Sequence, residues 1–543
     1  MKRIFSEICA ALTATIMLCA ASATAGEPTV KIGWGRRSIN PGEPVAITGQ
    51  LYLRVSLGEY KPVTADALVL ENGRDAVIFV SVDMVMLRGG ILDRVKDHLS
   101  KTVPEIPGDN IIMNATHTHA GPNFVAPGQK PAVDGITYME KENFLVFLTK
   151  QISDAIIEAW KNRAPGSVAY GYGFATVGHS RRTVYSGLDY APVPAPGYDT
   201  RGLARMYGKT NHPLFSHYEA GTDAFINLLY TFDADGKLTG AIINVPCPAQ
   251  TNEHAWQLHG GFWSPVREKL RAKYGDIGIV CQCAAAGDLS PRQLHYKEAE
   301  KRRYKLKYPE KYREIVRNPL RCPETFFKTP EEEKAYRERD LFDLLRAEDI
   351  ADRICSAFDE VLEWAKRDRQ SAPVLRHKVE KVRLERRMVS EAELKKAQDD
   401  LKLLDAEVER LKREGLSPNK VDRTIPSRIS RSRMILSRYE LQKKNPTLET
   451  TIHAVRIGDV SFASNRFELF IDFMHRIQAR SPYVQTFVVQ LVADPGEEGG
   501  SYLATARAAQ NLGYSATLLT NQVSADGGQQ LVEETLKMLE KLK

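Results

Sequence analysis

The sequence predicts an α/β fold, and three observations lead there. First, apolar strands and amphipathic helices alternate along the chain: a buried strand at Ala76–Val82, a helix from Ile91 to His98 and the apolar run IIMNA follow one another, the order of a sheet covered by helices. Second, the 543 residues are 43% hydrophobic and 26% charged, which excludes a disordered chain, a collagen-like repeat and a membrane bundle and leaves material for a large core. Third, no Pro/Ser/Gly-rich linker divides the chain, so one large domain carrying an insertion is expected. The formal charge of +7 is too mild an excess to point to nucleic acid.

The elements follow in order. Residues 1–25 read as a secretory signal peptide: Lys2 and Arg3, an apolar stretch from Ile8 to Ala20, then Ala23-Thr24-Ala25 before Gly26. The stretch falls short of the roughly 20 apolar residues of a membrane span, so no transmembrane anchor is expected and the location is periplasmic or secreted. The domain is expected over 26–543. Asn72-Gly73 marks a turn before the strand at Ala76. Phe144 to Asn162 reads as an amphipathic helix, Ala241 to Pro246 as a buried strand, and Asp276 to Asp288 as another strand ending in small residues.

Between about 295 and 450 the text becomes charged and helical. Leu341 to Lys366 is one helix. Ser390 and Glu393 form a capping box, and the apolar residues Leu394, Ala397, Leu401, Leu404, Val408 and Leu411 then recur at alternating spacings of three and four. Gly415 and Pro418 stop that helix, and Arg428 to Lys444 returns, giving a helical hairpin. Its short apolar seam is expected to pack on the body of the same chain rather than on a second copy. Strands resume in IHAVRIG, VSFAS and TFVVQLVA, and Gln529 to Lys543 closes the chain as a helix. No internal repeat is visible.

Five cysteines lie beyond the signal segment: Cys247, Cys281, Cys283, Cys322 and Cys355. An odd number in an exported chain leaves at least one free thiol or metal thiolate, and Cys322 with Cys355 is the pair to consider for a disulfide. In ATHTHAGP, His117 and His119 stand two apart just after a strand, so extended geometry would turn both imidazoles to one side, an arrangement that suits a metal. AAAGDLSP places Asp288 and Ser290 in a second strand-end loop; the residues read either as a serine nucleophile or as a turn bonded to its own backbone. GxSxG, HExxH and a Gly-rich phosphate loop are absent.

Taken in order, these motifs resemble the neutral/alkaline ceramidase family. THTHAGP is similar to that family's THTHSGP, AAAGDLSP to its AGDVSP, SNRFELF with IQARSP and TFVVQL to its segment around a late glutamate, and GSYLATARAAQNLGYSA to its GYxPT stretch. GWGRRSINP and the VSVDM strand with Asp83 also have counterparts, so the resemblance spans about 30–517. It implies a mixed-sheet α/β zinc-hydrolase domain, with the helical hairpin as an insertion, that cleaves an N-acyl amide in a small amphiphilic or other N-acylated substrate. By that resemblance Zn²⁺ would be held by His117, Glu468 and Tyr502, with Cys247 where the family has a second histidine. Gln250, Glu253 or His254 are the alternatives at that position. His119 would move protons, Arg181 and Tyr514 would contact substrate, and Ser290 and Asp288 would support the site. PCPA in place of VHPT and SYLAT in place of GYxPT depart from the family pattern. They leave open a metal-dependent enzyme acting on carbohydrate, favoured by a polar cleft of tyrosine and arginine, and a non-catalytic binding protein.

Overall fold

The computed structural model describes residues 29–125, 129–187, 195–197 and 202–543; the signal-peptide expectation lies outside the described residues. Eight strands form the main sheet: β1 (Lys31–Ser38), β2 (Thr64–Glu71), β3 (Ala76–Val82), β4 (Ile111–Ala115), β5 (Ala164–Phe174), β6 (Phe225–Asp233), β7 (Leu238–Val245) and β8 (Gly278–Cys283). Their spatial order is β8-β7-β6-β5-β1-β2-β3-β4. A second sheet holds β9 (Leu375–Glu385), β10 (Thr447–Ile457), β11 (Val460–Ser464) and β12 (Gln485–Val489) in chain order. The predicted α/β class and the mixed sheet are therefore observed.

One unit recurs three times. In β1–β4, β5–β8 and β9–β12 alike, the first three strands are antiparallel neighbours and the fourth pairs parallel with the third. The crossover to the fourth strand is a helix each time: α1 (Ile91–Thr102), α3 (Trp263–Tyr274) and α9 (Ile471–Arg480). A longer helix then returns over the first two strands: α2 (Lys141–Lys161) in the first unit, α6 (Pro330–Ala365) in the second and α10 (Ala525–Glu540) in the third. Parallel neighbours need such a crossover, and helices laid on the sheet bury its apolar face. The expectation of no internal repeat is thus corrected at the level of topology: the three units share connections without sharing a visible sequence pattern.

Units one and two pair as strands at two positions, Lys31 with Pro165 and Ile32 with Ala164, and β8 packs across β2, β3 and β4, where Cys281 N donates to Ser81 Oγ at 3.1 Å and Asn114 Nδ2 to the Cys281 carbonyl at 3.0 Å. The sheet of unit three packs on the bare face of the large sheet, where Leu68, Phe79 and Val280 meet Val455, Phe462 and Phe487. Phe462 stacks on Phe487 with ring centroids 4.2 Å apart and meets Phe79 at 4.8 Å, the latter within the range of favourable aromatic pairs. On the opposite face, α2 sits so close to β1 that a Cβ on Gly33 or Gly35 would lie 1.9 Å or 2.1 Å from the carbonyl oxygens of Ala159 and Ala155. Only glycine permits that approach.

The charged stretch contains α4 (Lys297–Lys307), α5 (Pro309–Arg317), α6, and the hairpin α7 (Glu391–Arg413) with α8 (Ile425–Lys444). Helix α6 begins earlier than expected because Thr329 caps Glu332 N and Pro330 sits in the first turn, signals that outweigh the polar start. The capping box of Ser390 and Glu393 is formed. The hairpin packs on its own chain, with Val389, Ala397 and Ile435 against Leu518. All five described cysteines are free, and the Cys322–Cys355 pairing does not occur, since Cys322 packs by Trp256 and Phe326 whereas Cys355 packs with the core under α3 and α6. Among the described residues no helix is long and apolar enough to cross a membrane.

Candidate functional site

The repeat decides where chemistry collects. In every unit the long connection between the first two strands, residues 39–63, 175–224 and 386–446, leaves from the same sheet edge at which the third and fourth strands end. Loops at the carboxyl ends of parallel strands are where α/β folds place ligands. His117 and His119 follow β4, Gln250 and Glu253 follow β7, Asp288 and Ser290 follow β8, and Glu468 follows β11. Side chains far apart in sequence therefore converge at one edge.

His117 lies at φ 61°, in the left-handed region that a histidine adopts only when its surroundings hold it there. Its Nδ1 is 2.5 Å from the carbonyl oxygen of Val85, which places the proton on Nδ1 and leaves Nε2 as a lone-pair donor. That Nε2 faces two further donors, Nε2 of His119 at 3.4 Å and Oε2 of Glu468 at 3.5 Å. Burial pushes the pKa of His117 down, and burial with the neighbouring His117 pushes that of His119 well below its ordinary value, so both rings are neutral.

Glu468 and Tyr502 are residue partners in a two-residue parallel ladder, so their side chains project to the same side. Gly287 lets this ladder approach, because a Cβ there would stand 2.3 Å from the Glu468 carbonyl oxygen. Arg181 ties the pieces together: it donates to the Gly287 carbonyl at 2.7 Å and to the Tyr502 hydroxyl at 3.0 Å, and stands 3.9 Å from Oε2 of Glu468. Burial opposes the charge of Arg181, yet Tyr502, Tyr207 and Glu468 hold its pKa well above the ordinary value. Burial raises the pKa of Tyr502 well above its usual range, keeping the phenol protonated, and Tyr514 packs edge-on against it at 5.7 Å.

A second carboxylate stands on the other side of His119. Oε2 of Glu253 lies 3.7 Å from Nδ1 of His119, while its other oxygen accepts from Arg292, which also binds Asp343 at 2.6 Å. Gln250 donates to the Tyr207 hydroxyl at 2.7 Å. His254 neighbours Glu253 at 3.7 Å, and burial pushes its pKa down to about 2. Arg292 and Tyr207 escaped the sequence reading; Arg292 directly follows the GDLSP loop, but nothing in its local pattern sets it apart from a surface arginine.

The remaining expected residues take other positions. The Ser290 hydroxyl is fully buried and accepts from Arg292 N at 3.1 Å. Asp288 accepts from Ile471 N at 3.0 Å, and burial raises its pKa to about 7. Both therefore brace the loop against α9 and Arg292. Cys247 lies in an apolar cluster with Val245, Phe262 and Trp263, its sulfur 3.5 Å from the Pro248 carbonyl oxygen, and burial drives its pKa well up. Among the described residues no group of three or more His, Cys, Asp or Glu forms a ready-made metal cluster. A cleft of about 1080 Å³ opens over this region, lined by His119, Arg181, Glu253, Tyr502 and Tyr514. His117 and Glu468 lie behind that wall.

No family model matches the sequence, and no curated protein matches it. Solved structures do. The chain is similar to the neutral ceramidase from Pseudomonas aeruginosa, with a TM-score of 0.59 at 16% identity over 95% of this chain and 75% of that one. It is also similar to a ceramidase complexed with C2, with a TM-score of 0.58 at 15% identity over 95% and 76% of the two chains. At that identity the likeness establishes a ceramidase-like fold.

Proposed function

We propose that this chain is a hydrolase that cleaves an N-acyl amide, with Zn²⁺ held by His117, His119 and Glu468 and with Tyr502 beside them. The observation that carries the reading is the spacing around His117 Nε2. Tetrahedral zinc with bonds of about 2.0–2.1 Å sets its ligand atoms roughly 3.3–3.5 Å apart, and the two distances from His117 Nε2 are 3.4 and 3.5 Å. Neutral imidazoles and a carboxylate suit that ion, and a histidine whose other nitrogen is held by a carbonyl is the usual outer support of such a ligand. The donor set therefore fits, with His119 standing where Cys247 was expected to serve. Zinc in this position would polarise the acyl carbonyl and acidify a water toward a pKa of about 7.

The residues of the chain supply the rest. Tyr502, kept protonated, and Arg181, kept charged, are donors for the oxygen on which negative charge develops during attack on an amide. Glu253, beside His119 and clamped by Arg292, is placed to accept a proton from the attacking water and return it to the leaving amine. Ser290 and Asp288 hold the loop. The likeness to ceramidases supports an acylated substrate, and the export signal read in residues 1–25 supports a periplasmic or secreted enzyme.

Elemental mass spectrometry on purified protein tests the site. About one zinc per chain is expected, lost in His117→Ala, His119→Ala and Glu468→Ala together with turnover of N-acyl substrates. Full turnover without His117 would defeat the assignment. A second reading, a metal-dependent enzyme acting on carbohydrate, is favoured by the tyrosines and arginines that line the cleft.

A further inference from the structure

The cleft wall carries more cations than its carboxylates can pair. Among the lining acids, Glu253 and Asp343 are held by Arg292, Glu300 by Arg346 and Glu338 by Lys301. Of the other lining guanidiniums, Arg181 stands 3.9 Å from Glu468 and Arg205 has a partner of its own, whereas Arg339 on α6 and Arg431 on α8 have, among the described residues, no carboxylate within salt-bridge distance. Both are half-buried, and the Nε of Arg339 is buried without a hydrogen-bond partner. Arg339 lies over the Tyr336 ring at 5.1 Å and Arg431 over the Tyr514 ring at 5.6 Å.

Both line the cleft over the centre. Arg431 reaches it through Tyr514 and Tyr502, which touch edge to face. Arg339 acts on His254, whose Nε2 is 3.7 Å from Glu253, the carboxylate beside His119. Asp340 feels the charge of Arg339 without touching it; a guanidinium partly removed from water with no carboxylate in contact is costly unless a ligand supplies one, and its planar fork matches an oxyanion. A neutral acylated molecule filling the cleft would strip more water from both cations and give nothing back.

We infer that the substrate carries, besides its N-acyl group, an oxyanion such as sulfate, phosphate or carboxylate that Arg339 and Arg431 bind. This rests on the N-acyl hydrolase reading and adds the charge of the substrate to it. The oxyanion can belong to an acylated amino sugar or to a lipid headgroup, and two matched pairs separate these sources: N-acetylglucosamine 6-sulfate against N-acetylglucosamine, and sulfated against unsulfated galactosylceramide in detergent.

Calorimetric binding to the full chain is expected to favour the sulfated member of at least one pair by about tenfold or more, and the pair that shows it names the source. Raising the salt concentration should shrink that advantage in the unmodified chain, a readout that needs no variant. Arg339→Gln/Arg431→Gln should abolish it, so that the sulfated and unsulfated members of the pair bind alike. No advantage in either pair, or an advantage that survives in the double variant, overturns the inference. Charge-selective binding without cleavage of any amide would instead sink the hydrolase reading and leave this inference standing.

Discussion

Replacing Asp83 by alanine should destabilise the chain and displace His117. Asp83 is fully buried and accepts four hydrogen bonds: from Arg267 at 2.6 and 3.2 Å, from Thr64 N at 3.0 Å and from the Thr116 hydroxyl at 3.1 Å. Without the carboxylate, buried Arg267 retains only Asp66 at 3.6 Å, and Thr116 loses the partner that holds the residue before His117. Removing one member of a buried, hydrogen-bonded ion pair costs about 3–5 kcal/mol, because the other charge stays in the interior. Asp83→Ala should therefore lower the free energy of unfolding in urea by that amount. Asp83→Asn, which keeps the shape and an acceptor, should lose roughly half. A cycle with Arg267→Met should show coupling above about 1 kcal/mol, since the two residues touch. A loss below about 1 kcal/mol for Asp83→Ala, or additive single and double variants, would refute the argument.

Three further outcomes are expected. Burial raises the carboxyl pKa of Asp288 from 3.8 to about 7, so the folded chain keeps a proton that the unfolded chain has released. This group's contribution is then most favourable below pH 3.8, declines between pH 3.8 and 7 and stays flat above; Asp288→Asn should remove up to roughly 4 kcal/mol of that decline, and an unchanged pH profile of melting would contradict the burial effect. Cys247→Ala should leave the metal content of the proposed site unchanged and lose about 1–2 kcal/mol of packing energy, whereas loss of metal with the fold intact would restore the thiol as a ligand. Ser290→Ala should leave a measurable hydrolysis rate; complete loss with metal and fold retained would point to a serine nucleophile.

Much of the fold was legible where apolar runs are bounded by turn residues. Ala76–Val82, Ile111–Ala115 and Val460–Ser464 are strands with the expected limits, and the Ser390–Glu393 capping box marks the start of its helix. The start of α6 was not legible by periodicity, because PEEEKAYRER has no apolar stripe and its signal lies only in Thr329 and Pro330. The threefold repeat was hidden for a related reason: topology is conserved by strand pairing and crossover helices, which many sequences satisfy. At the site, the structure brings His117, Glu468, Tyr502 and Arg181 together as their motifs suggested. The clamp of Arg292 on Glu253 joins residues 39 positions apart that no shared motif links. The bidentate grip of buried Arg182 on Glu219, which also takes the Tyr514 and Leu512 carbonyls, was equally invisible in one dimension.

The three-unit build has a consequence for how the chain comes apart. Each unit pairs its four strands and packs its crossover helix within its own stretch of chain, and such contiguous units can open separately. The loops that carry His117, Glu253 and Glu468 belong to three different units, so their meeting point exists only when all three are docked. Loss of one docking event would erase the centre while most helices and strands persist. On rising denaturant, ligand binding should therefore disappear before the far-ultraviolet dichroism does, and coincident curves would mean that the three units unfold as one.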